Sequence, residues 1–165
     1  MEFVYQKNNT RLFKAMIKQN QNYTIISKSH FKEHAKVLKL TSLKLNKKII
    51  EASNIISSSL LNKGSVFWCG NGGSASDAQH IAAELSGRFY IDRPPLNAEA
   101  LHVNSSYLTA VANDYGYEKT YSRMVEAKGK NGDILLAFST SGKSKNILNA
   151  ISIAKKIGIY TIGFT

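Results

Sequence analysis

The 165 residues are enough for one domain with a buried core, and 43% hydrophobic with 20% charged residues is ordinary for a globular protein. The single cysteine excludes an intramolecular disulfide, and no apolar run approaches the roughly 20 residues of a membrane span. The net charge of +11 lies mainly in residues 1–63, but these basic residues are scattered without a nucleic-acid motif, which argues against nucleic acid as a partner.

The first part of the chain consists of two segments with different compositions. Residues 1–22 are rich in Asn, Gln and Lys and lack the pattern of a signal peptide, which predicts a poorly ordered extension and a cytoplasmic location. Apolar residues then recur at helical spacing, which predicts N-terminal helices over residues 23–63. We expect two helices with a break near Leu40-Thr41-Ser42, the second of which ends at Lys63-Gly64.

Residues 64–165 alternate between strand and helix patterns. Strands are predicted at 66–69, 98–103, 134–138 and 160–165, and helices at 74–86, 105–113, 120–128 and 146–157. This order predicts an α/β domain with a doubly wound parallel sheet covered on both faces. Because the chain stops just after a strand, we expect the domain to be truncated before a last strand and helix.

A glycine-rich loop follows the first predicted strand and opens a helix. In Gly70-Asn71-Gly72-Gly73-Ser74, bare backbone N–H groups at a helix N-terminus are suited to an anionic or polyhydroxyl ligand. The dinucleotide fingerprint would need a glycine at Ala75, so a nicotinamide enzyme is a poor second choice. Ser74 and Asp77 are spaced as a variant capping box.

A second loop, Ser139-Thr140-Ser141-Gly142-Lys143-Ser144, follows the third predicted strand. Its hydroxyls and the helix after it are suited to phosphate, although the spacing is not that of a P-loop. The alternative is a helix N-cap with additional serines. Ligands of such sheets bind beyond the carboxyl ends of the strands, so both loops are expected at one edge.

Two polar pairs add candidate chemistry. His80 and Glu84 lie four residues apart on one helical face, where they either share a divalent metal or make an ordinary surface contact. Two ligands do not complete a zinc site, which needs three or four. Asn113 and Asp114 follow a short helix and either bind sugar hydroxyls or form an Asx turn.

Together these motifs resemble the phosphoheptose isomerases, which are the sedoheptulose 7-phosphate isomerases of the SIS (sugar isomerase) superfamily. The motifs are 70–74, Asp77-Ala78-Gln79-His80, 83–88, Asn113-Asp114-Tyr115-Gly116 and 139–144, and the resemblance extends from about residue 23 to 165. It implies a flavodoxin-like SIS fold with N-terminal helices. It also implies a cytoplasmic homotetramer that converts sedoheptulose 7-phosphate to D-glycero-D-manno-heptose 7-phosphate for lipopolysaccharide or capsule.

The resemblance also implies roles for individual residues. His80 and Glu84 would be ligands of one Zn²⁺ per subunit, and Glu84 would also be the general base of an enediol mechanism. The substrate would be held by Asn71, Gly72, Gly73, Ser74, Glu84, Arg88, Asn113, Asp114, Ser139, Thr140, Ser141 and Ser144.

This chain departs from the family pattern at one point, and a second function is also compatible with the motifs. The family continues with a strand and a helix whose Gln and His complete the metal site and supply the acid, so this chain is expected to be a truncated form with half of that site. The alternative is a non-catalytic SIS protein that binds a protein partner such as the replication initiator DnaA. The presence of His80 and Glu84 favours the enzyme, and the departure favours the binding role.

Overall fold

The computed structural model describes residues 23–165, so the expectation for residues 1–22 lies outside the described residues. The described residues divide into two units, residues 23–48 and 49–165. Helix α1 (Tyr23–Leu61) runs through residues 40–42, so the predicted break is wrong. The helix contains neither Gly nor Pro, and Thr and Ser each cost only about 0.5 kcal/mol relative to Ala. Within the described residues, no helix has both the length and the apolar character needed to cross a membrane.

The second unit continues with strands and helices in alternation. They are β1 (Val66–Cys69), α2 (Gly73–Ser86), β2 (Ala98–Ala100), α3 (Ser105–Tyr115), a 3₁₀ turn (Tyr117–Lys119), α4 (Thr120–Lys128), β3 (Ile134–Phe138), α5 (Lys145–Ile157) and β4 (Tyr160–Phe164). Each predicted strand and helix of this region is present. Strand β2 is shorter than predicted because the chain turns at Leu101 and His102, and α3 extends beyond its predicted end.

The four strands form one parallel sheet in the order β2-β1-β3-β4. This confirms the predicted α/β class, and the order is that of the first four strands of flavodoxin-like sheets. Strands β1 and β3 are neighbours whose ends are in register, with Cys69 opposite Ala137. The glycine loop and the serine loop therefore leave the sheet side by side.

The sheet separates two apolar layers because alternate residues of a strand point to opposite faces. One layer combines α4 and α5 with the strand residues Phe67, Cys69, Leu135 and Ala137. The other combines α2 and the last turns of α1 with the strand residues Val66, Trp68, Ile134 and Leu136. The expectation of a sheet covered on both faces is confirmed.

A buried carboxylate organises the edge of the sheet opposite the two loops. Asp133 is fully buried and accepts hydrogen bonds from the N–H groups of Ser65 at 2.8 Å and Lys130 at 2.9 Å. The Ser59 hydroxyl donates to the carbonyl oxygen of Gly132 at 2.7 Å. Asp133 and Ser59 thus hold together the loops that lead into the strands at this edge.

Candidate functional site

A cleft of about 450 Å³ lies at the carboxyl edge of the sheet. It is formed by the first turns of α2 and by the ends of β3 and β4. Its lining residues are Ser74, Asp77, His80, Ile81, Phe138, Ser139, Thr140, Phe164 and Thr165. The cleft therefore brings the helix of the glycine loop and the start of the serine loop to one cavity, as the strand order requires.

The glycine loop needs glycine for two different reasons: the backbone conformation at Gly72 and the close packing at Gly70. Gly72 has φ 55° and ψ −123°, a conformation that residues with a Cβ rarely adopt. A Cβ on Gly72 or Gly73 would meet no atom within 4 Å, so this part of the loop borders open space. A Cβ on Gly70 would lie 2.6 Å from the carbonyl oxygen of Ser74, so Gly70 allows the loop to pack against the start of α2.

Helix α2 begins at Gly73 without a side-chain cap, so the predicted capping box of Ser74 and Asp77 is wrong. The backbone turn satisfies the first donors instead, since the Ser74 N–H donates to the carbonyl oxygen of Asn71 at 3.0 Å. Within residues 23–165, the N–H groups of Gly72 and Gly73 have no acceptor. Two free donors at a helix N-terminus can bind ligand oxygens.

The side chain of Asn71 is held by two residues that the sequence analysis did not single out. Its Oδ1 accepts from Asn146 Nδ2 at 2.8 Å and from the Tyr117 hydroxyl at 3.1 Å, and its Nδ2 donates to Asn146 Oδ1 at 3.0 Å. The buried Tyr121 hydroxyl donates to the carbonyl oxygen of Gly70. The sequence signal for Tyr117 and Asn146 is weak, because each simply follows a motif already noted.

The serine loop places its hydroxyls in two different environments. Ser139 is buried, and its hydroxyl donates to Ser144 Oγ at 3.2 Å, whereas Thr140 and Ser141 are exposed. Ser144 precedes α5, but its side chain makes no capping hydrogen bond. The alternative of a helix N-cap with additional serines is therefore not what this loop forms. Its exposed hydroxyls are available to a ligand at the N-terminus of α5.

His80 and Glu84 lie on one face of α2, as predicted. His80 Nε2 is 3.3 Å from Glu84 Oε1, and the side chain of His80 is largely exposed while that of Glu84 is partly buried. Within residues 23–165, no group of three or more His, Cys, Asp or Glu side chains is arranged to hold a metal ion. The described residues thus offer two ligands and do not by themselves make a zinc site.

Arg88 is not brought into the cleft. It follows the C-terminal end of α2, and Ser74 lies in the first turn, so about 20 Å of helix separates them. In the part of the chain that the structure describes, Arg88 has no hydrogen-bond or ion-pair partner. Arg93 instead closes this end of α2, because its guanidinium donates to the carbonyl oxygens of Glu84 at 3.0 Å and Pro94 at 3.1 Å.

Asn113 and Asp114 also lie outside the cleft lining. They are exposed in the last turn of α3, where Asn113 Nδ2 donates to Asp114 Oδ1 at 2.9 Å. They precede Tyr117, whose hydroxyl reaches Asn71. The segment that carries them therefore approaches the glycine loop through Tyr117.

Two further titratable groups are shaped by burial. Burial raises the pKa of the Cys69 thiol to about 12, so this thiol is neutral at physiological pH and is not a nucleophile. Burial lowers the pKa of His102, whose Nδ1 is buried without a hydrogen-bond partner among residues 23–165. Neither residue joins His80 and Glu84 in a metal cluster within that part of the chain.

The chain is similar in sequence to SIS domain proteins and to phosphoheptose isomerases. A family model described as the SIS domain matches residues 29–165. Phosphoheptose isomerases from Rhodospirillum rubrum and Helicobacter pylori strain P12 are 53% and 46% identical to it, over 71% and 80% of this chain. The chain spans 62% of the length of the R. rubrum relative and 69% of that of the H. pylori relative.

Solved structures give the same result. A phosphoheptose isomerase from Neisseria gonorrhoeae matches with a TM-score of 0.80 and 36% identity, over 86% of this chain and 74% of that one. One from Francisella tularensis matches with a TM-score of 0.83 and 36% identity, over 87% and 75% of the two chains. The extent and identity of these matches, together with the SIS domain match, show that the chain belongs to the phosphoheptose isomerase family of SIS domain proteins.

Proposed function

We propose that this chain catalyses the isomerisation of sedoheptulose 7-phosphate to D-glycero-D-manno-heptose 7-phosphate, toward heptose for lipopolysaccharide or capsule. The observation that carries the proposal is the shared cleft. There, Ser139 and Thr140 of a phosphate-type loop face the same cavity as His80, one turn before Glu84 on α2. Family membership supports the choice of substrate class.

We assign the phosphate group of the substrate to the serine loop. Thr140 and Ser141 are exposed hydroxyl donors, and they precede α5, whose N-terminus favours an anion. Ser139 and Ser144 support them through their mutual hydrogen bond. The sugar carbons then extend toward the glycine loop, where Asn71, Gly72 and Gly73 supply donors for its oxygens.

Glu84 is proposed as the general base. In the conversion of a ketose to an aldose, the base takes a proton from C1, which leaves an enediol, and returns the proton to C2. The hydroxyl oxygen on C1 loses a proton, and the oxygen on C2 gains one. The side chain of Glu84 is partly buried, and its carboxylate contacts His80, which lines the cleft. Glu84 therefore lies one helical turn beyond a residue of the proposed substrate site.

Three further expectations stand as parts of the proposal. His80 and Glu84 contribute two ligands of a Zn²⁺ ion whose remaining ligands come from outside residues 23–165. Four copies of the protein associate. The protein acts in the cytoplasm.

Ser74, Arg88, Asn113 and Asp114 remain candidate substrate residues, and Arg88 would reach substrate only from outside the cleft described above.

The substitution Glu84→Gln tests the proposal. It keeps the size and hydrogen-bonding capacity of the side chain but removes the base, so turnover of sedoheptulose 7-phosphate should fall by about 10²- to 10⁴-fold. Substrate binding, measured by calorimetry, should change little. Glu126→Gln on the exposed face of α4 is the matched control, and its turnover should equal that of the wild type.

Three outcomes are informative. Retained turnover in Glu84→Gln would remove Glu84 from the role of base. A wild-type chain that binds sedoheptulose 7-phosphate without turning it over would contradict catalysis by this chain and favour a non-catalytic SIS protein. A wild-type chain that neither binds nor converts this sugar phosphate would refute the proposed function as a whole.

A further inference from the structure

We propose that Tyr117 and Asn146 are positioning residues that make Asn71 a fixed hydrogen-bond donor for the sugar part of the substrate. The inference rests on the proposed function. The inference adds to the proposed function in two ways. It states that Asn71 donates rather than accepts the hydrogen bond to the substrate, and it assigns a role to Tyr117 and Asn146, which lie outside the sequence motifs.

The first step is an account of the Asn71 side-chain amide. An amide oxygen has two lone pairs, and an amide nitrogen has two protons. Both lone pairs of Asn71 Oδ1 are used, by Asn146 Nδ2 at 2.8 Å and the Tyr117 hydroxyl at 3.1 Å. One proton of Nδ2 is used by Asn146 Oδ1 at 3.0 Å. One N–H therefore remains, and Asn71 can offer a ligand a donor but no acceptor.

The second step is that this orientation cannot reverse cheaply. Asn146 is 3% exposed, and its Oδ1 also accepts from the backbone N–H of Ile147 at 3.0 Å. A flip of the Asn146 amide would lose that bond, and a flip of Asn71 alone would set two NH₂ groups against each other. An unsatisfied buried amide is costly, so the pair keeps one arrangement.

The third step concerns the ligand chemistry. Asn71 is followed directly in the chain by Gly72 and Gly73, whose backbone N–H groups have no acceptor among residues 23–165, so these three residues together offer a ligand three hydrogen-bond donors. Such a set recognises oxygens with lone pairs, which are the carbonyl and hydroxyl oxygens of a sugar chain. The phosphate is assigned to the serine loop, so the two ends of the substrate can be tested separately.

The experiment measures the affinity of the full chain for sedoheptulose 7-phosphate and, separately, for inorganic phosphate by calorimetry. Tyr117→Phe removes one hydroxyl from an exposed ring, and Asn146→Leu removes the amide at similar size. Each should weaken sugar-phosphate binding by about five- to tenfold, the effect of one hydrogen bond. Affinity for inorganic phosphate should stay within about twofold. In turnover, KM should rise by the same factor with kcat nearly unchanged.

Control variants are available near both residues. Tyr115→Phe removes a hydroxyl that has no hydrogen-bond partner among residues 23–165 and keeps the ring that stacks with Arg123 at 3.9 Å. Ser152→Ala is the control on α5, because it removes an exposed hydroxyl that has no hydrogen-bond partner among residues 23–165. Both controls should bind both ligands as the wild type does.

The outcomes separate the inference from the function on which it rests. Unchanged sugar-phosphate affinity in folded Tyr117→Phe would overturn the inference, even if Asn146→Leu fails to fold. A parallel loss for inorganic phosphate would also overturn it, because it would indicate a general structural role. A wild-type chain that does not bind the sugar phosphate would instead refute the proposed function, and the inference with it.

Discussion

At the scale of single residues, the glycine loop contains positions with opposite requirements. Gly70 packs against the backbone of Ser74, whereas Gly73 has open space where a side chain would stand. The sequence shows a run of glycines but does not distinguish a packing role from a ligand-facing one. The distinction arises from how closely α2 approaches the end of β1.

Gly70→Ala should therefore destabilise the protein more than Gly73→Ala. The added methyl at residue 70 would lie 2.6 Å from a carbonyl oxygen and force the loop apart, at a cost of about 1–3 kcal/mol. At residue 73, a helical position with free space, alanine should be neutral or slightly stabilising. Urea unfolding of the two variants makes the comparison, and equal free energies of unfolding would contradict the packing role.

Cys69 gives a prediction about pH. Burial raises its pKa from 9.0 to about 12, so the folded state holds the thiol proton more tightly than the unfolded state. The free energy of unfolding should thus be unaffected by this group below pH 9. It should fall as pH rises toward 12, by at most about 1.4 kcal/mol per pH unit.

Cys69→Ala should be less stable at neutral pH because it leaves a small cavity, but its stability should depend less on pH between 9 and 11. Burial also raises the pKa of Tyr121, and the charge of Cys69 raises it further, so the loss of Cys69 reduces the contribution of Tyr121 to the pH dependence in the same direction. Urea unfolding at several pH values provides the measurement. If the free energies of unfolding of the wild type and Cys69→Ala changed in parallel with pH, burial would not raise the pKa of the Cys69 thiol.

At the scale of elements, helix ends were harder to predict than helices. The capping box expected at the start of α2 does not form, and the expected break in α1 is absent. Both depend on small energy differences between local alternatives, which tertiary contacts decide. The C-terminal end of α2 is closed by Arg93, a residue of the following segment.

Arg93→Ala should lower the free energy of unfolding by about 1 kcal/mol, because the carbonyl oxygens of Glu84 and Pro94 lose their donor. Arg88→Ala is the matched control, since Arg88 has no such partner among residues 23–165. Its unfolding curve should overlay that of the wild type. Thermal or urea unfolding of both variants tests this, and a larger effect at Arg88 would contradict the assignment.

At the scale of the whole molecule, apolar side chains are exposed along the described part of the first unit. Phe31 and Leu38 are 75% and 62% exposed on α1, and Leu45 continues their seven-residue spacing. A single helix with such a face is marginal in water. The exposed face is therefore consistent with the proposed homotetramer, in which further copies would cover it.

The substitutions Phe31→Gln, Leu38→Gln and Leu45→Gln together should therefore reduce self-association. Light scattering after size-exclusion chromatography should give a mass near four chains for the wild type and a smaller mass for the triple variant. Replacement of the exposed Lys36 and Lys44 by Gln on the same helix is the control and should leave the mass unchanged. A monomeric wild type would refute the proposed assembly.

Most of the fold and the two loops of the site follow from local sequence patterns. The apolar run 134–138 predicts a buried strand, the Gly and Ser loops mark strand ends, and parallel strands bring such ends to one edge. His80 and Glu84 meet on α2 because of helical spacing alone. These features depend on residues close in sequence, so the sequence was sufficient to predict them.

Tertiary structure decided which groups remain free within that framework. Asn71 bonds to Tyr117 and Asn146, which are distant in sequence and brought near by the packing of α4 and α5 on the sheet. The same packing buries Cys69, while Arg88 is left without a described partner at the far end of α2. Hydrogen-bond partners across a sheet edge depend on distances in space, and no periodicity in the chain encodes them.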